Sequence, residues 1–78
     1  MIKLASGITL NEDDPNMRSV RQYAIDKGLT TARCFLVTEP NGRRSYLFTL
    51  GEYLTQYQTQ SLEALGAHID MVALANNF

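Results

Sequence analysis

The chain predicts an α+β domain, and three patterns carry that prediction: an alternating stretch at its start, two strand-like runs joined by a tight turn, and two stretches with helical spacing. The expected order is β-α-β-β-α-α, a β-hairpin with an additional N-terminal strand packed against two or three helices. Residues 1–78 are read as a single compact domain, which buries roughly 60 % of the surface an extended chain exposes.

In the first strand Ile2, Leu4, Ser6, Ile8 and Leu10 share one phase, and Lys3, Ala5, Gly7 and Thr9 the other. Gly7 is its weak point, because a strand interior gains nothing from a missing side chain. Asp14 then caps a helix that opens with Pro15 at N1, where the absent amide donor is not needed. Met17, Val20 and Ala24 form its apolar stripe, widened by Tyr23 and Ile25. The helix is expected to run to Lys27, with Gly28 as the left-handed stop and Leu29 packing back.

Ala32 to Thr38 and Arg44 to Leu50 form a hairpin through Pro40, Asn41 and Gly42. A two-residue Asn41-Gly42 turn, the favoured reading, sets Phe35 opposite Phe48, Val37 opposite Tyr46 and Arg33 near Leu50. A Pro40-Asn41 type I turn with Gly42 as a bulge is the alternative, and it shifts the register by one residue. After the hairpin, Thr49 and Glu52 have capping-box spacing, with Phe48 and Tyr53 as a staple. Leu50, Tyr53, Leu54 and Tyr57 then recur at helical spacing, predicting a short helix that either stops before Ser61 or bends into the next one.

The last helix is expected from Ser61 to Ala75. Leu62, Leu65, Ile69 and Val72 form one stripe, Ala64, Ala67, Met71 and Leu74 much of the opposite side, and Glu63 and Asp70 only a narrow polar strip between. One side of so apolar a helix is left for a second cover. Leu65, Ile69 and Val72 are assigned to the internal core, and Ala64, Ala67, Met71 and Leu74, with Tyr53 and Tyr57, to a protein interface.

An apolar content of 45 % argues against disorder, and seven Lys/Arg against eight Asp/Glu give no charge bias toward nucleic acid or an anionic membrane. Cys34 is the only cysteine, so no disulfide framework forms within one chain. The run from Met1 to Leu10 is too interrupted for a signal peptide or a membrane span, and cytoplasmic residence is the simplest expectation. Glu12, Asp13 and Asp14 read as a solvated loop plus a helix cap, since adjacency alone does not make carboxylates converge. Cys34 and His68 lack a third orienting residue, and one Cys and one His leave a zinc site unspecified, so no catalytic, metal or cofactor role is assigned.

The expected function is therefore that of a small non-catalytic interaction domain. It would act by complex assembly, inhibition or regulation, on another protein or on a second copy of itself through the C-terminal helix. The alternative is a nucleic-acid-binding module with Arg43 and Arg44 on phosphates and Tyr46 stacked on a base, with Arg18, Arg21 or Arg33 adding charge if helix and hairpin meet.

Overall fold

The computed structural model describes residues 1–51 and 55–76, with Thr55 and Asn76 as backbone only. Among the described residues seven elements follow one another: β1 (Ile2–Lys3), β2 (Thr9–Asn11), α1 (Pro15–Asp26), β3 (Ala32–Thr38), β4 (Arg44–Leu50), β5 (Thr55–Thr59) and α2 (Leu62–Asn76). The strands form one antiparallel sheet in the order β1-β2-β3-β4-β5, so this is an α+β fold with a five-stranded sheet and two helices.

The expected N-terminal strand is broken in two. Gly7, at φ +90°, turns the chain, its amide donates to the Leu4 carbonyl, and the Leu4 amide donates to Ile8. Ile2 consequently pairs with Leu10. A positive φ is strained for any residue with a Cβ, so the glycine that weakens a straight strand is what permits the hairpin.

Helix α1 matches its local signals. The Asp14 carboxylate accepts from the amides of Asn16 and Met17 at 3.0 and 3.2 Å, and Pro15 opens the helix. At the other end Gly28 takes φ +97°, its amide donates to Ile25, and the Leu29 amide donates to Ala24, a Schellman arrangement that drives Leu29 into the core.

The β3–β4 hairpin adopts the alternative register. Phe35 lies opposite Leu47, Leu36 opposite Tyr46 and Cys34 opposite Phe48, correcting the Phe35–Phe48, Val37–Tyr46 and Arg33–Leu50 pairings expected from a two-residue turn. Pro40 suits the first central position of a type I turn. Gly42 at φ +87° then absorbs an extra residue, while Gly42 and Glu39 amides donate to the carbonyls of Glu39 and Arg43. One residue of slip exchanges faces, so Phe35 and Phe48 point to opposite sides of the sheet.

Both helices cover one face. Ala32, Cys34 and Phe48 from the sheet meet Met17 and Ala24 of α1, Leu29, and Leu65, Ile69 and Ala73 of α2 in a single core, with Leu36, Tyr46, Leu50 and Tyr57 packed at its margin. Phe35 and Val37, 7 % and 5 % exposed, lie on the other face and are not part of that core.

The middle helix is a second correction. Glu52, Tyr53 and Leu54, which carry its capping box and staple, lie outside the described residues, but Thr55–Thr59 is strand β5. Tyr57 pairs opposite Phe48, and Gln56 and Gln58 opposite Thr49 and Leu47. No helix among the described residues is long and apolar enough to cross a membrane.

Candidate interaction surface

Helix α2 carries the surface, and four neighbours fix its orientation. Ser61 caps it, its hydroxyl accepting from the Ala64 amide at 3.2 Å and its carbonyl from Leu65 at 3.0 Å. Beneath the helix Leu65 and Ile69 are fully buried and Ala73 nearly so. On the flank toward α1, Asp70 accepts a hydrogen bond from the Tyr23 hydroxyl and pairs with Lys27 at 3.3 Å, while the Lys27 ammonium sits 4.9 Å from the Tyr23 ring centre. The Tyr23 hydrogen bond, with Lys27 beside it, holds the Asp70 carboxyl below its usual range. Tyr23 is thereby tied to α2.

The flank toward β5 carries His68. Its ring stacks on Tyr57 at 4.0 Å between centres with planes 8° apart, and meets Phe48 edge-on at 5.9 Å. Nε2 of His68 is buried with no hydrogen-bond partner among the described residues. His68 is thus part of the packing between α2 and the sheet.

What remains is the outer face. Met71 and Leu74 are 67 % and 69 % exposed, Ala67 one turn before Met71 is exposed, and Ala64 is half-buried. These are the four residues assigned to an interface on spacing alone. Tyr57, grouped with them as a helical residue, lies on β5 under His68, and Tyr53 lies outside the described residues. Large apolar side chains this open on a small domain are the signal to explain, since each releases about 1.5–3 kcal/mol when fully covered.

The basic residues divide among separate places. Arg43 lies over the far end of β5, where, with the Gln60 amide turned so that its oxygen faces the guanidinium, Nε and Nη2 donate to that oxygen at 2.7 and 3.2 Å. It lines a groove of about 310 Å³ with Ser45 and Gln58. Arg44 is exposed, and Tyr46 packs at the margin of the helix-side core. The Arg43, Arg44 and Tyr46 set is therefore not assembled on one open surface.

Arg18, Arg21 and Arg33 come together elsewhere, with Glu12 and Asp13, around a cleft of about 590 Å³ beside α1. Arg33 donates to both Glu12 oxygens at 3.0 and 2.9 Å, which lowers the Glu12 carboxyl and raises the guanidinium, and Arg21 Nε donates to the Ala32 carbonyl at 3.2 Å. The acidic run is thereby dispersed: Glu12 pairs, Asp14 caps, and Asp13 donates its amide to Asn11. Meeting of Glu12 with Arg33 required the β2–β3 pairing, for which no short motif exists. Cys34 is fully buried, and burial pushes its thiol up to about 11, so at neutral pH it is an uncharged core residue.

This surface defines a small antiparallel α+β domain with an open apolar helix face. Comparison finds no matching family model, curated protein or solved structure, and the functional reading rests on the chain's own residues.

Proposed function

We propose that the chain is a non-catalytic protein-interaction domain whose contact element is the outer face of α2. The observation that carries this reading is the exposure of Met71 and Leu74 one turn apart on a helix whose underside is already satisfied by Leu65, Ile69 and Ala73. The alanines supply little bulk, so a partner backbone can approach closely, while the flexible Met71 adapts to its shape. Complex assembly, inhibition or regulation within the cytoplasm would all use such a face.

Met71→Asp tests the reading, because it places an unpaired charge in the contact while standing outside the core. Native mass by light scattering over a tenfold concentration range, with circular dichroism on the same samples, is the measurement. A folded variant that loses association supports the α2 face; an unfolded variant places Met71 in the core and removes the reading.

Nucleic-acid binding by the hairpin tip is the second reading, and the exposed Arg44 supports it. Arg43→Glu with Arg44→Glu would then abolish binding and its salt dependence.

A further inference from the structure

We propose that two copies of this chain pair through β5, joining their sheets into one continuous ten-stranded antiparallel sheet about a two-fold axis at Tyr57. The inference deepens the interaction reading and rests on it: it names the partner as a second copy and places the dyad on the strand beside α2.

The two edges of the sheet differ in kind. β1 is two residues long and carries Lys3, a short charged edge of the sort that discourages pairing. β5 has five residues, Thr-Gln-Tyr-Gln-Thr, with neither charge nor proline, and among the described residues nothing pairs with its outer side. A regular neutral edge of this length presents alternate amides and carbonyls as a template for another strand.

The sequence of that edge is its own complement. Thr55, Gln56, Tyr57, Gln58 and Thr59 read the same in both directions. An antiparallel copy therefore sets Tyr57 against Tyr57 once, on the axis, and Gln56 against Gln58 and Thr55 against Thr59 twice each. A two-fold axis makes every such contact reciprocal, the palindrome sets like residues opposite one another, and aromatic pairs are favourable cross-strand neighbours.

Helix α2 packs beside this edge: His68 on its flank stacks on Tyr57, while Leu65 and Ile69 share the core with Phe48. Ala64 and Met71, at four residues before and three after His68, share that flank and would face the partner copy.

The test uses charge at the facing glutamines of the full chain. Wild type is expected to be a dimer by light scattering, and Gln56→Lys with Gln58→Lys, which opposes lysine to lysine twice, to weaken it about tenfold or more. The Gln56→Glu, Gln58→Glu chain should weaken likewise, and an equal mixture of the two variants should restore a dimer of one copy of each. Both variants lose the Gln58 donation to Ser45 equally, so rescue isolates the pairing. Amide exchange on wild type needs no substitution and should show the outward amides of residues 55–59 protected only at concentrations where the dimer forms.

A wild-type monomer throughout overturns the proposal. So does a dimer whose β5 amides exchange freely, or one that survives both charge variants but dissolves with Met71→Asp; that last result would leave the α2 reading standing without the edge.

Discussion

Glu12 and Arg33 make the seam between β2 and β3 sensitive to acid. Hydrogen bonding to Arg33 lowers the Glu12 carboxyl in the folded chain, so its contribution is present above the ordinary carboxylate range and is lost as pH falls through the depressed folded value. Both side chains are partly open, at 53 % and 31 % for Arg33 and Glu12, and solvent screening holds the contribution below about 1 kcal/mol. Glu12→Gln should therefore lower the urea midpoint slightly at neutral pH, and the two curves should converge in acid below the carboxylate range. Gly7 is less forgiving. Its φ of +90° disfavours a side chain, and a Cβ would stand 2.9 Å from Pro40 Cγ. Gly7→Ala should cost about 1–2 kcal/mol from the backbone alone, read as a lower urea midpoint.

At the scale of elements, the helices were legible because their ends carry local chemistry. Asp14-Pro15 and Lys27-Gly28-Leu29 state where α1 begins and stops without reference to any other segment, and Ser61 does the same for the start of α2. The split of α2 was legible too. Leu65 and Ile69 are buried while Ala67, Met71 and Leu74 are open, although Ala73, small enough to escape notice, joins the buried side. Leu65→Ala should accordingly destabilise the fold by about 2–5 kcal/mol, measured by urea unfolding, far more than any change at Leu74. Strand β5 was not legible as a strand. Leu50, Tyr53, Leu54 and Tyr57 satisfy helical spacing, and the Thr-Gln-Tyr-Gln-Thr alternation is too short to outweigh them until β4 supplies a ladder. The hairpin register failed for a related reason: Asn41-Gly42 suits a two-residue turn, and Pro40 tips the balance toward the longer one.

For the whole molecule, one layer of helices on one face of a sheet leaves two kinds of surface open among the described residues. They are the outer side of α2 and the β5 edge. Association through α2 makes a clear demand at this scale: the mass of the Met71→Asp chain must fall while its helical circular dichroism persists. The site as a whole was only half readable in advance, since the apolar side of α2 is a property of one segment. The stacking of His68 on Tyr57 and the Asp70 link to α1 depend on strands and helices being assembled.

Each strand lies beside the strand that precedes it in the chain. Assembly of the sheet can therefore proceed by local zipping at β1–β2, at β3–β4 and onward to β5, with little entropy lost to closing long loops. The exception is the junction of β2 with β3, which must wait while residues 12–31 are gathered between them. That span is the one with its own instructions, an aspartate at one end and a glycine stop at the other. The entropic bottleneck of folding and the most self-sufficient stretch of sequence thus coincide in α1, which shortens the search before any tertiary contact rewards it.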